Sequence, residues 1–369
     1  MQFRDLHRQY EALRPAIDSA MLQVASSGAY IMGPQVAALE QQLADYVGVK
    51  HCVSCANGTD ALSLALMAWG VGEGDAVFVP DFTFFASAEV IAHAGATPIF
   101  VDVERDTYNI SLADLEAKYA ALPSHLTPRA VVAVDLFGLP ADFMALRQFA
   151  NQHGLLILED AAQGFGGSIG NRRACSFGDI ATTSFFPAKP LGCYGDGGAV
   201  FTDNDEWAAL LRSFRVHGKG SDKYDNVRIG LNSRLDTLQA AILQVKLKAF
   251  EDYELDAVNR VANLYNERLE GKVITPAIPQ GFGSSWAQYT IQLPQRDAVK
   301  QALQAGGIPS MVYYPKPMSA QTAFASVAGI QGSCPNAARL SATVLSLPMH
   351  PYMTDAEVAH VSETLLASI

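Results

Sequence analysis

Between about residue 36 and residue 250, short apolar runs alternate with segments whose apolar positions recur every three or four residues. The runs DAVFVP, TPIFVDV, AVVAVDLFG, GLLILED and IATTSFF are mostly rich in Val, Ile, Leu and Phe, as strands buried on both faces are. Their alternation with helical patterns predicts an α/β fold with a large, mainly parallel sheet. VAALEQQLADYVG (36–48) sets Val36, Leu39, Leu43 and Tyr46 at helical spacing. RLDTLQAAILQVKLKAF (234–250) does the same, with Leu235, Leu238, Ile242, Val245 and Phe250 along one expected face. CVSCANGTDALSLALMAWG reads as strand, tight turn and helix. Near Tyr253 the chain turns more polar, and QYTIQLP, a helix around 297–305 and SMVYYP predict a smaller α+β unit. A chain of 369 residues exceeds the roughly 250–300 that one core serves, so domains are expected at 1–250 and 251–369.

Composition narrows the partners. The chain is 49% apolar and 17% charged, as soluble globules are, and carries a net charge of −11. Nucleic acid and anionic membranes recruit excess lysine and arginine, so neither is an expected partner. An anionic substrate must then meet a local basic patch. Residues 212–234 offer one, with Arg212, Arg215, Lys219, Lys223, Arg228, Arg234 and His217 against Asp222 and Asp225; a solvated loop of scattered charge is the other reading. The charged opening MQFRDLHRQY and the lack of a run of about 18 uncharged apolar residues lead to an expected cytoplasmic location. Five cysteines at irregular spacing speak against a disulfide framework. Cys52 and Cys55 lie three apart on an expected strand, so their thiols point to opposite faces and no metal site is expected there.

The candidate chemistry lies between Glu159 and Gly198. An acidic strand end, EDAAQGFG, comes some thirty residues before a lone lysine in SFFPAKPLGCYGDGG. A pyridoxal phosphate enzyme needs such a pair: Asp160 keeps the pyridine nitrogen protonated, and Lys189 holds the aldehyde as a Schiff base. Phe185, Phe186, Pro187, Pro190 and Leu191 imply a buried turn in which the lysine ammonium is disfavoured and its amine becomes nucleophilic. Glu159 is the competing acid, but strand alternation points it to the other face. Asn57-Gly58-Thr59 sits where a strand hands over to a helix, a seat for the cofactor phosphate; a plain N-cap by Thr59 or Asp60 is the bland reading. Ser184 offers a hydroxyl to the same phosphate. Phe84 follows a strand at the sheet's carboxyl edge and is placed to stack on the pyridine, while core packing with Phe82 and Phe85 is the alternative. Gln163 falls on the same side of the turn as Asp160, within reach of the phenolic oxygen. The glycines of GCYGDGGAVFTD suggest backbone passing close to a ligand. They do not match a dinucleotide fingerprint.

Taken together, SCANGTDAL, VPDFTFFASAE, EDAAQGFG, SFFPAKPLGCYGDGGA, GLNSRLDTLQAAIL and SLPMHPYM resemble the DegT/DnrJ/EryC1/StrS family of nucleotide-sugar aminotransferases, from FRDLHRQY to the end of the chain. The resemblance implies an aspartate aminotransferase-like, fold type I enzyme dependent on pyridoxal phosphate, with pyridoxamine phosphate as intermediate and L-glutamate as amino donor. It implies that Lys189 forms the internal aldimine, Asp160 partners the pyridinium, Gln163 the phenolic oxygen, and Gly58, Thr59 and Ser184 the phosphate. Phe84 takes the ring-stacking place. It further implies a homodimer in which Asn232 reaches the phosphate of the neighbouring subunit's cofactor. Within the family the chain is most similar to enzymes that aminate UDP-2-acetamido-2-deoxy-3-keto-D-glucuronic acid for O-antigen sugars. In those Arg234 would meet the sugar carboxylate, and Tyr313 and Tyr314 would line the sugar site, although relatives often have His-Tyr-Pro where this chain has Tyr313. A 3-keto or 4-keto 6-deoxy sugar on dTDP or GDP stays open as substrate, as does, from another class, a non-catalytic cofactor-binding regulator.

Overall fold

The computed structural model describes residues 1–222, 224–328 and 332–369. Its strands in chain order are β1 (His51–Cys55), β2 (Asp75–Pro80), β3 (Thr97–Val101), β4 (Thr127–Val134), β5 (Leu156–Asp160), β6 (Ser168–Ile169), β7 (Arg172–Arg173), β8 (Ile180–Ser184), β9 (Gly198–Thr202), β10 (Phe282–Gly283), β11 (Tyr289–Gln292) and β12 (Val344–Leu347). Seven of them form one sheet in the order β1-β9-β8-β5-β4-β2-β3. Neighbours are parallel except where β9 runs antiparallel to β1 and β8. Strand alternation divides the apolar side chains between two cores: Phe78, Val131, Ala133 and Ile157 face one, and Val77, Val79, Val132 and Leu158 the other. Cys52 and Cys55 follow the same rule and enter opposite cores. All five cysteines are buried and free.

Helices cover both faces, as a parallel sheet requires. The helix Pro34–Val47 opens on a proline and ends at Gly48, whose left-handed φ of 84° lets its N–H bond the Ala44 carbonyl. It buries Val36, Leu39, Leu43 and Tyr46, as their spacing predicts. The helix expected at 234–250 runs Thr237–Ala249. Residues just before it are held extended, since Ile31 and Asp236 form a bridge and the Thr237 N–H donates to the Tyr30 carbonyl. The expected stripe is also only partly right, because Leu238 and Val245 are half-buried while Ala240, Leu243, Lys246 and Leu247 are buried. This helix packs on both Leu6–Ser27 and Pro34–Val47, so its covered arc is wider than one apolar repeat reveals.

A third core draws on Val258, Val261, Tyr265, Leu303, Val358 and Val361 around the antiparallel pair β11 and β12. The expected QYTIQLP strand and the helix Arg296–Ala305 belong to this part of the chain. SMVYYP forms no strand; only Met311 makes a bridge, to Ser346. Its two tyrosines instead turn back towards the large sheet, and Met318, Phe324 and Leu340 pack on the same core as Val77 and Val132. Among the described residues no helix is long and apolar enough to cross a membrane.

Candidate active site

The carboxyl ends of β2, β5 and β8 and the start of the helix Gly58–Ala68 enclose a cavity of about 430 Å³. Gly58, Thr59, Phe84, Asp160, Gln163, Ser184, Lys189, Tyr313 and Tyr314 all line it. This is the edge at which ligands of open α/β sheets bind.

Asp160 is the last residue of β5, pairs in register with Thr182 of β8 and is buried. Ser87 Oγ donates to its Oδ2 at 2.7 Å, and the Ala162 N–H to its Oδ1 at 3.2 Å. Burial pushes this carboxyl above its ordinary value, while those two bonds and the charge of Lys189 act the other way. Glu159 points to the opposite face, where it accepts the N–H groups of Cys175, Phe177 and Gly178. Its carboxyl is pushed up to about 7 by burial, a buried acid with a structural role.

Lys189 sits in the turn between β8 and β9, closed by its own N–H donating to the Phe186 carbonyl at 2.8 Å. The side chain is half-buried in the cavity wall. Burial lowers its ammonium to about 8; Asp160 opposes that shift and Arg4 adds to it. Such an amine is neutral in a useful fraction near physiological pH.

The anion seat differs from both readings of the sequence in one detail: the helix cap is Asn57, whose Oδ1 accepts the Asp60 N–H at 2.8 Å. The N–H groups of Gly58 and Thr59 therefore have no partner among the described residues and are offered to the cavity. Gly58 is packed so close to Ser184 that an added Cβ would lie 2.7 Å from the serine Cβ. Of the three neighbouring phenylalanines only Phe84 lines the cavity, 54% exposed; Phe82 is buried, and Phe85 packs 5.2 Å from Phe324. Gln163 accepts the Phe137 N–H and donates to the Tyr314 hydroxyl at 2.9 Å, tying the Tyr313–Tyr314 segment to the turn after Asp160.

Two expectations need correction. Gly192, Gly195, Gly197 and Gly198 do not line the cavity. A Cβ at Gly192 would meet the Pro187 carbonyl at 2.4 Å and one at Gly198 the Asn57 carbonyl at 2.5 Å, so these glycines serve chain packing behind the lysine turn. In the basic stretch 212–234, Arg215 is buried against Glu40 at 2.5 Å and is no part of a surface patch; Lys223 lies outside the described residues. Asn232 and Arg234 do not reach the cavity of their own chain. Asn232 is exposed and Arg234 half-exposed, and neither side chain has a hydrogen bond or ion pair among the described residues.

Sequence reading missed Thr83, Ser87 and Gln288, which also line the cavity. Ser87 had a signal, because it lies one helical turn after Phe84. The Gln288 Oε1 is buried without a partner, and no local pattern marks it.

A seven-stranded sheet that places a lysine turn and a buried aspartate on adjacent strands over one cavity is the architecture of fold type I transferases. The comparisons narrow this further. The chain belongs to the DegT/DnrJ/EryC1/StrS aminotransferase family, whose model matches residues 12–366. It is 44% identical over 368 residues to UDP-2-acetamido-2-deoxy-3-oxo-D-glucuronate aminotransferase of Pseudomonas aeruginosa, with 99% of each chain covered. It is 43% identical to UDP-N-acetyl-3-dehydro-alpha-D-glucosamine 3-aminotransferase of Acidithiobacillus ferrooxidans, covering 98% of this chain and 96% of that one. A crystal structure of a DegT DnrJ EryC1 StrS aminotransferase from Brucella abortus superposes with a TM-score of 0.97 at 49% identity, covering 99% of this chain and 98% of that one.

Proposed function

We propose that this chain moves an amino group from L-glutamate to the keto carbon of UDP-2-acetamido-2-deoxy-3-keto-D-glucuronic acid, with pyridoxal phosphate held in the cavity. The observation that carries the reading is the convergence of Lys189, Asp160 and the free N–H groups of Gly58 and Thr59 in one space. That donor set fits a phosphorylated pyridine aldehyde. When bound, the cofactor supplies an electron sink that allows a C–H bond beside nitrogen to ionise. Gly58 and Thr59 hold the phosphate through their N–H groups and the helix dipole, helped by the Ser184 hydroxyl. Asp160, kept in place by Ser87 and Ala162, holds a proton on the ring nitrogen. Phe84 would cover a bound ring and exclude water, and Gln163 would offer its amide to the ring's phenolic oxygen. Lys189 Nζ would hold the cofactor through its aldehyde and would serve as the base and acid that takes and returns the proton in each half-reaction. Tyr313 and Tyr314 form the sugar wall.

Asn232 and Arg234 reach away from their own cavity with unpaired polar groups, which supports a homodimer in which each completes the other's site. We place the division between a cofactor-holding unit and a smaller one at 250/251, the latter laying Tyr313 and Tyr314 over the cavity. The choice of a uronic acid rests on Arg234, whose fork suits a carboxylate.

The purified enzyme, loaded with the cofactor and given L-glutamate, is expected to release 2-oxoglutarate, and then to aminate the 3-keto uronic sugar, read as a mass change. Lys189→Ala should abolish both half-reactions. Normal rates in that variant, or no 2-oxoglutarate from the wild type, would refute the proposal.

A further inference from the structure

Residues Phe3 and Arg4 precede the first helix and lie outside the cavity, yet they join its two walls. Arg4 Nη2 donates to the Lys189 carbonyl at 2.9 Å and reaches the Pro190 carbonyl at 3.5 Å. No backbone N–H among the described residues uses the Lys189 carbonyl, so this guanidinium is its partner. On the other side, the Phe3 carbonyl accepts the Met349 N–H at 3.1 Å, and the Phe3 ring meets Tyr313 edge-on at 6.2 Å.

The ionisable groups that face Arg4 come from four places. Lys189 is in front of it. Glu254, 3% exposed, supplies the counter-charge and accepts Gln9 Nε2 at 2.8 and 3.1 Å and the Tyr352 hydroxyl at 2.6 Å. Lys246, 1% exposed, adds a second cation, lowered by burial to about 8. His350 is held neutral, its imidazolium lowered to about 4 by burial and by Arg4. Among the described residues Glu254, locked by its own hydrogen bonds, is the carboxylate that acts on Arg4, while Asp5 acts on His350; two cations, Arg4 and the partly charged Lys246, stand with them behind the lysine turn. The field at Lys189 from this side is positive.

We propose that Arg4 is a positioning residue for Lys189: it pins the carbonyl of the turn that carries the lysine and sets a guanidinium charge behind it. This rests on the reading of Lys189 as the amine that holds the cofactor. Arginine suits the task because its Nη2 alone reaches both the Lys189 and the Pro190 carbonyl and its charge does not titrate near neutral pH. Without that charge only burial opposes Asp160 at Lys189, and the ammonium is more favoured than in the wild type.

The test uses cofactor-free wild-type protein, Arg4→Gln, Arg4→Lys, and Arg8→Gln as a control, since Arg8 is exposed and pairs with Glu357. The rate of pyridoxal phosphate uptake is followed by absorbance across pH, melting curves are recorded without cofactor, and borohydride reduction with peptide mapping identifies the lysine. Arg4→Gln should move the midpoint of the pH–rate curve upward by as much as about one unit and slow uptake at neutral pH by up to about tenfold. Arg4→Lys should restore the midpoint but not full uptake, because it keeps the charge and loses the Nη2 contacts to the Lys189 and Pro190 carbonyls. Arg8→Gln should match wild type. A wild-type midpoint in Arg4→Gln, or an equal shift in Arg4→Lys, overturns the proposal. If Arg4→Gln does not fold, Arg4→Lys decides alone, and a shifted midpoint there is the refuting result. Borohydride label on another lysine of the wild type would instead overturn the site reading, and this proposal with it.

Discussion

Replacing Gly58 by alanine sets two known effects against each other. The added methyl lands 2.7 Å from Ser184 Cβ, 3.2 Å from its Oγ and 3.3 Å from its Cα. Ordinary contact begins near 3.4 Å, so helix and strand must part by about 0.7 Å or more. Overpacking of this kind costs about 1–3 kcal/mol. Alanine in the first turn of a helix returns up to about 1 kcal/mol relative to glycine, and the backbone at Gly58 needs no positive φ. Global stability should therefore fall by about 2 kcal/mol or less. The phosphate seat should suffer most, because its donors lie on the two elements being pushed apart. A loss of about 1.4 kcal/mol there raises the dissociation constant for pyridoxal phosphate about tenfold. Titration of the cofactor-free protein, set beside its melting curve, separates the two effects. Ser184→Gly removes the Cβ that is struck, so Gly58→Ala with Ser184→Gly should bind better than the two single losses add up to, by about 1 kcal/mol. Strict additivity, or unchanged affinity in Gly58→Ala alone, would show that this close approach does not shape the seat.

Three further outcomes follow from the same geometry. The rate at which the cofactor-free protein takes up pyridoxal phosphate should rise with pH to a midpoint near 8, since the reactive form is the neutral amine and burial lowers the Lys189 ammonium to about that value; a midpoint near 10.5 would mean a solvated lysine. Exchange of subunits between inactive Lys189→Ala and inactive Asn232→Ala homodimers should restore about a quarter of wild-type activity, because about half of the dimers become mixed and each mixed dimer carries one intact site of its two; no recovery after confirmed exchange counts against shared sites. Arg234→Ala should erase a preference for uronic over 6-hydroxymethyl sugars of about one to two decades in kcat/KM, and Arg234→Lys should shrink it; equal losses on both sugars would point to a neutral keto sugar, as in the name of the relative at 43% identity.

The chemistry of this chain is legible wherever it follows strand ends, because a strand fixes which face its last residues take. Asp160, Ser184 and the Gly58 turn are visible for that reason, and Glu159 is rightly turned away. What pattern reading misses are contacts between distant segments. Ser87 meets Asp160 across 73 residues and Arg4 meets Lys189 across 185. Arg215 looks like part of a basic surface because charge along a sequence says nothing about depth, and only packing shows its partner to be Glu40. The apolar stripe of Thr237–Ala249 is misjudged for a related reason: periodicity marks one covered side, and this helix has several.

The pairing of β5 with β8 acts as a ruler. Glu159 lies opposite Ala181 and Asp160 opposite Thr182, so hydrogen bonds between adjacent strands, about 4.8 Å apart, fix how far the acid stands from the lysine turn. The chain between them, including the ribbon of β6 and β7, does not enter that measurement. Insertions or deletions around Gly170 or Asn171 should therefore leave the spacing intact, whereas a one-residue slip of β8 would turn Ser184 to the wrong face and carry Lys189 with it. Length can drift in the loop over many generations; register cannot.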